Sequence, residues 1–219
     1  WIYSYYSTLD DATINRFNKR SIDNFKKFRG LKKSNKVYLF GSGPSIEKYN
    51  LFDIDNTAWK IICNSLVKNI EFINNIGIDA ITIADPVFHF GHSKYAIAFR
   101  KDLIDRWREN KFYIFLPERN LPFFLKNYPF LEYHLIGVRN SNRIKKLFDK
   151  GELSVFPTEN ILSLLMLPLG FTLAEKLFLI GFDGKSNNKK DDYFWNHQHD
   201  FQYIELISDA KIEHPAFFE

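Results

Sequence analysis

Short apolar runs alternate with amphipathic stretches along most of the chain, and each run stops at a polar or glycine-containing turn. The first run, Lys36-Val37-Tyr38-Leu39-Phe40, is rich in β-formers and leads straight into Gly41-Ser42-Gly43-Pro44-Ser45, with helix-compatible residues from Ile46. That is the pattern of a parallel strand, a tight turn, and a helix whose N-terminus faces the space above a sheet. A second strand is predicted over Trp59–Cys63, ending at Asn64-Ser65, and a helix over 66–76. A third strand over 79–84 ends at Asp85-Pro86. A loop carrying His89 and His92 then leads into a long helix of mixed charge near 94–108. Residues 111–116 read as a fourth strand and 133–138 as a fifth, and Pro157-Thr158 begins a helix through about Gly170. Residues 176–181 read as a last strand, buried on both faces and terminated by Asp183-Gly184.

Strands and helices in alternation, with several strands continuously apolar, imply an α/β fold. The expected form is a Rossmann-like, doubly wound, mostly parallel sheet with helices on both faces, one domain over 36–219. Residues 1–35 form a separate segment. There Ile14, Phe17, Ile22, Phe25 and Phe28 recur at helical spacing, among Arg16, Lys19, Arg20, Lys26, Lys27, Arg29, Lys32 and Lys33. This predicts an amphipathic helix packed on the domain with a solvated basic face, a peripheral membrane or anionic-glycan contact being the second reading. Ligands of such sheets sit beyond the carboxyl ends of the strands, at a topological switch. Gly41, Ser42, Gly43, Pro44, Ser45, Asn64, Asp85 and Asp183 all fall at such ends. Glycine lets backbone approach a ligand, and the free amides of a helix start favour a phosphate. Pro44 suits a first helical turn, Ser42 can cap it, and Ser45 adds a hydroxyl.

Composition narrows the partners. The 219 residues suit one sizeable domain, and 45% hydrophobic residues suffice for its core. Aromatics at 17%, with 23 Phe and 11 Tyr, point to an aromatic-lined surface or site. A net charge of +4 and a pI near 8.9 suit an anionic small molecule or a membrane surface and fall short of a nucleic-acid signature. The one cysteine, Cys63, excludes an internal disulfide framework and a cysteine zinc site; in a predicted buried strand it reads as packing, in a reducing compartment. No stretch approaches the ~20 apolar residues of a membrane span, and none reads as a secretory signal. The start at Trp1 and the close on Phe217-Phe218-Glu219 suggest a piece of a longer chain. The expected location is the cytoplasm, or the inner face of the cytoplasmic membrane.

The glycine turn lacks the third glycine of a dinucleotide fingerprint, Asn64 stands where a ribose-binding acid is expected, and no Gly-Lys-Ser/Thr comes after it as in a P-loop. His197-x-His199-Asp200 is a weak zinc pattern, His89 and His92 pair only if their loop brings them together, and Asp191-Asp192 comes after a charged run. Asp53-x-Asp55 imitates the metal-binding acids of some glycosyltransferases but falls in a turn, so no obligatory metal is expected. His214, held before Pro215, is a candidate base with an ordinary pKa of about 6.5, suited to taking a proton from a sugar hydroxyl. His197 and His199 are rivals. Tyr193 can donate to a leaving phosphate.

The segment 37–45 with Gly-Ser-Gly-Pro-Ser, the strand ending at Cys63-Asn64, the helix start Thr158-Glu159-Asn160, and 177–183 with Ile-Gly-Phe-Asp form an ordered series. In that series the chain resembles the bacterial sialyltransferases of glycosyltransferase family 42 and the related motility-associated "domain of unknown function 115" group. The resemblance spans about 36–214. It implies a Rossmann-like transferase that moves an acidic sugar from a CMP-activated donor to a lipopolysaccharide- or capsule-type glycan, without metal or further cofactor. Carried across, Gly41, Gly43 and Ser45 line the nucleotide phosphate and ribose, Asn64 contacts nucleotide or sugar, and Thr158, Glu159 and Asn160 cover the cytidine. Tyr193 then stabilises the departing phosphate and His214 is the base. The family's Thr-Ser-Gly stands here as Thr-Glu-Asn, which leaves room for another CMP-ulosonate such as Kdo. Archaeal 6-hydroxymethylpterin pyrophosphokinases resemble the same first turn. That resemblance implies ATP and magnesium, with Asp85 and Asp183 as candidate ligands. A non-catalytic nucleotide- or sugar-binding module is the third reading.

Overall fold

The computed structural model describes residues 6–141, 147–149, 151–183 and 200–215. Among them, eight strands make one sheet: β1 (Lys36–Phe40), β2 (Trp59–Cys63), β3 (Ala80–Thr82), β4 (Tyr113–Pro117), β5 (Leu135–Asn140), β6 (Phe148–Asp149), β7 (Glu152–Val155) and β8 (Lys176–Ile180). Their order is β6-β7-β5-β4-β3-β2-β1-β8. Seven run parallel, and the two-residue β6 lies antiparallel to β7 at one edge.

The helices are α1 (Asp11–Arg29), α2 (Ile70–Ile76), α3 (Lys94–Asn110), α4 (Leu121–Asn127), α5 (Leu167–Leu173, entered through a π turn over Leu162–Met166) and α6 (Ile207–Glu213). From β1 to β5 the chain steps along the sheet in one direction, and α2, α3 and α4 all pack on one face with Tyr38, Phe40, Ile62, Ile81 and Ile114. The return from β7 to β8 runs the other way, and α5 packs on the opposite face with Val37, Leu39, Ile61 and Phe115. Right-handed crossovers require that exchange of faces when the direction of travel reverses. The chain therefore forms the Rossmann-like, doubly wound sheet expected of it. Its switch point lies between β1 and β8.

Helix α1 shares the second face with α5. Asp10 caps it, accepting from the Thr13 amide at 2.6 Å, and Phe25 and Phe28 are fully buried against Trp59, Tyr113 and Phe115. Two buried polar residues explain its position. β7 pairs with β5 only at Arg139 and Asn140, which leaves the start of β5 with an open edge. There the Ser21 hydroxyl accepts from the Gly137 amide at 2.9 Å, and the Asn24 amide donates to the carbonyls of Leu135 and Glu132 at 2.8 and 2.9 Å. The helix thus supplies the edge bonds that a strand would have made. Of the basic residues in the first segment, Arg20 pairs with Glu132 and Lys32 with Asp79, while Lys19, Lys26 and Lys33 are exposed.

Three expectations are corrected. The helix expected over 66–76 is two elements, a 3-10 turn over Asn64–Lys68 and α2, because the Asn69 side chain accepts from the Phe72 amide and starts a new helix. The helix expected at Thr158 begins only at 161, since Asn160 accepts from the Leu162 amide and acts as a start signal. The last strand is not buried on both faces: β8 is an edge strand, with Phe178 40% and Leu179 49% exposed. An apolar run cannot by itself distinguish a central strand from an edge. No described helix is long and apolar enough to cross a membrane.

Candidate functional site

The carboxyl rim of the sheet gathers most of the candidate residues. At the switch point the exits of β1 and β8 interlock. Gly41 donates its amide to the Ile180 carbonyl at 2.8 Å and Gly43 to the Gly181 carbonyl at 2.7 Å. A Cβ on Gly41 would stand 2.5 Å from the Gly181 oxygen, and one on Gly43 would collide with the Asp183 carboxylate. Gly181 has φ +77 and faces the Gly41 carbonyl. These glycines are needed by a neighbouring stretch of backbone, whatever lies above them.

The amides expected to cradle a phosphate are committed elsewhere. Besides Gly41 and Gly43, the Ser42 amide bonds the Cys63 thiol, Pro44 has no N–H, and Ile46 donates to the Gly43 carbonyl at 3.0 Å. The Ser45 amide and hydroxyl both donate to Asp183 Oδ2, at 2.9 and 2.8 Å, and the same hydroxyl accepts from the Gly181 amide at 3.2 Å. The position offered to an anionic ligand thus holds the chain's own carboxylate. The turn leads into a 3-10 helix (Pro44–Leu51) with Pro44 in its first turn as expected; its N-cap is Gly43, and no side chain caps it, so Ser42 does not take that role. Burial pushes the Cys63 thiol up to about 12, consistent with packing.

At the end of β2, Asn64 has φ +52, the left-handed conformation that asparagine tolerates better than most side chains. One strand further on, Asp85 comes three residues after β3. Its Oδ1 accepts from the amides of Val87 and Phe88, both at 2.8 Å, which pins the start of the 85–93 loop. Burial raises its pKa, while those two amides and the nearby His214 ring pull it back down. His214 lies just past the end of α6, and Asp209 of the same helix accepts from the Lys94 amide at the start of α3 at 2.6 Å, which fixes α6 beside the loop. The His214 ring fills the space a side chain at Gly91 would need, and its buried Nε2 has no hydrogen-bond partner among the described residues. The loop beneath is rigidly held: buried Arg100 donates to the carbonyls of His89 and Gly91 at 3.0 and 2.9 Å.

The structure therefore brings together Gly41, Gly43, Ser45 and Asp183 in one cluster, and sets His214 against Gly91 of the loop that Asp85 opens. Thr158, Glu159 and Asn160 are exposed, and the hydrogen bonds of Thr158 and Asn160 close the start of their own helix through Ser163 and Leu162. Among the described residues nothing links them to the glycine turn. Tyr193 and His197, with His199, Asp191 and Asp192, lie outside the described residues. His89 is no partner for His92: its Nδ1 accepts from the Asp85 amide at 2.9 Å, and it is 2% exposed. Asp55 is held by Lys36 and Thr57, in the turn that its sequence suggested. No group of three metal-ligating side chains occurs among the described residues. Sequence reasoning passed over Glu118, which comes directly after β4 on the same rim; the rule that singled out Asp85 after β3 applies to it equally. The chain matches no protein-family model, no curated protein and no solved structure.

Proposed function

We propose that the protein is a glycosyltransferase that moves an acidic sugar, a sialic acid, Kdo or a related nonulosonate, from a CMP-activated donor to a surface-glycan acceptor. The observation that carries this reading is the docking of His214 against Gly91, in the loop that Asp85 opens after β3. β1 and β3 flank β2, so this loop lies about 10 Å along the rim from the glycine turn, a span that a nucleotide sugar bridges. In the proposed reaction His214 takes the proton of an acceptor hydroxyl, and the Asp85 carboxylate balances the charge on the imidazolium. The freed oxygen attacks the anomeric carbon as CMP leaves. Because the turn amides are engaged, the donor is held at the turn through side chains: its ribose hydroxyls donate to Asp183, and its phosphate lies toward Asn64. The transfer needs no metal ion in this scheme, as the resemblance to the sialyltransferases implies.

The test is calorimetric titration of the protein with CMP, CDP, UDP, GDP and ATP, each with EDTA and with magnesium. The expected result is CMP or CDP binding that is indifferent to EDTA and weakened at least about tenfold by Asp183→Ala. With the donor identified, His214→Ala is expected to slow turnover by about 10²–10⁴-fold with nucleotide affinity retained. Asp183 lying over the turn favours a second reading, a pterin-type pyrophosphokinase in which Asp183 helps to hold magnesium; Asp85, about 10 Å along the rim, is too far to bind the same ion. Binding of ATP alone, and only with magnesium, would overturn the transferase in its favour. Nucleotide binding with no loss of turnover in His214→Ala removes the proposed base.

A further inference from the structure

The amino edge of the sheet, at the opposite end of the strands from the candidate site, carries cations and exposed rings together. Helix α1 ends there at Arg29, and Lys111 and residues 130–134 lead into β4 and β5. Between α1 and β1, Lys32 ties the chain across the starts of β2 and β3: its Nζ donates to the Ala58 carbonyl at 3.0 Å and to Asp79 at 2.8 Å. Toward β5, the Lys27 ammonium lies 5.6 Å from the centre of the Tyr133 ring, and the Lys111 ammonium 3.9 Å from that of Trp107. Trp107 in turn packs on Phe130 and His134. The His134 pKa, lowered first by burial, is lowered further by the charges of Lys111 and Lys27, so both lysines border the same ring. From β5 to β1 the surface spans four strand spacings, about 19 Å.

Lys26, Lys27, Arg29, Lys33 and Lys111 are exposed, and none of them has a carboxylate partner among the described residues. Glu132, Asp79 and Glu109 of the same edge are engaged by Arg20, Lys32 and Arg106, and Asp23 is the one acid between 19 and 33. Among these charges Leu31 is 57% exposed, Phe130 44% and Tyr133 55%. Cations in a last helical turn offset the helix dipole. That accounts neither for Lys33, outside any helix, nor for rings held in the open between cations. Unpaired cations around exposed rings are the make-up of a surface that rests on anionic lipid, where the cations meet headgroups and the rings enter the boundary beneath them. Nucleic acid is the weaker match, because the net charge of +4 falls short of what such a partner calls for.

We propose that the amino edge between β5 and β1 docks on an anionic phospholipid surface, with its unpaired cations against the headgroups and Leu31, Phe130 and Tyr133 in the interfacial layer. The carboxyl rim then faces the aqueous phase. The assignment rests on this surface alone and is independent of the transferase reading.

The experiment is co-sedimentation of the intact chain with vesicles of phosphatidylcholine alone and of phosphatidylcholine with about 30% phosphatidylserine, at low and high salt. The expected result is binding at least about tenfold tighter to the anionic vesicles, and lost at high salt. Lys26→Glu/Lys27→Glu is expected to weaken it at least about tenfold, each basic residue at such a surface being worth about fivefold. Lys33→Glu, outside α1, should weaken it about fivefold and carries the test if the double variant fails to fold. Phe130→Ser/Tyr133→Ser should weaken it severalfold with the salt dependence kept. Equal binding to both kinds of vesicle, affinity unchanged in both lysine variants, or tighter binding to a short single-stranded DNA than to the anionic vesicles would overturn the proposal.

Discussion

Burial without a carboxylate partner holds the His89 imidazole neutral. Desolvation, with a contribution from the charge of Arg100, takes its pKa down to about 3. A histidine with its folded-state pKa below the ordinary value of about 6.5 contributes stability that is complete above pH ~6.5 and lost as the pH falls toward 3. The integrated effect is up to roughly 5 kcal/mol. His134, also lowered by burial, acts in the same sense. Asp85 and Glu118, raised by burial, act in the opposite one, their contributions being lost as the pH rises through their folded-state values. The His89 share is therefore read by difference: urea unfolding of the protein and of His89→Gln at pH 7 and pH 4 should show the variant losing less stability over that interval. Equal losses would mean that His89 protonates freely in the folded state. At this scale the chemistry of each side chain was legible in the sequence, and its surroundings were not. Among Val87, Phe88 and Phe90 the sequence left open whether His89 faces a ligand or the core, where its ring sits against Phe99 at 4.5 Å.

Strands announced themselves more clearly than helices, because a continuous apolar run of five or six residues has few other uses in an α/β chain. β2 was legible to the residue, and β4 and β5 each begin two residues later in the structure than their apolar runs suggest. Helix breaks depended on single side chains, Asn69 and Asn160, whose capping role shows only when the bonded amide is known. Helix α1 is the element whose role changed most. Its amphipathic pattern predicted packing, yet Ser21 and Asn24 lie on the buried side for reasons no periodicity encodes. Asn24→Ala removes donors from the buried Leu135 carbonyl at the start of β5 and the part-buried Glu132 carbonyl just before it, and it should lower stability by about 2–3 kcal/mol in urea unfolding. A change below about 0.5 kcal/mol would mean that α1 rides on the sheet without being stitched to it.

For the whole molecule, the reversal of direction at β1 decides where chemistry can occur. It creates the interlocked exits of β1 and β8, and among the described residues it leaves β8 with a single strand partner. Hydrogen exchange tests that placement. Amides of β2 and β3, buried between strands, should exchange only through global unfolding, while alternate amides of β8 should exchange several orders of magnitude faster. Protection of every β8 amide to the level of β2 would show that its outer edge is covered in solution.

By itself the sequence determined the fold class, six of the eight strands in chain order, and the rim on which polar residues collect, because these arise from local apolar patterning and from the parallel alternation it imposes; β6 and β7, short and without a continuous apolar run, were not legible. It also determined that Cys63 packs and that Pro44 opens a helical turn. Tertiary structure alone decided which neighbour each rim residue meets. The glycines of the first turn make room for Gly181 and Asp183, more than 130 residues away, and the turn amides are thereby bonded within the fold. His214 likewise meets the loop that Asp85 opens only through the docking of α6 beside it. Sequence spacing carries the period of a helix or strand, but a hydrogen bond between distant segments is fixed by the path of the whole chain.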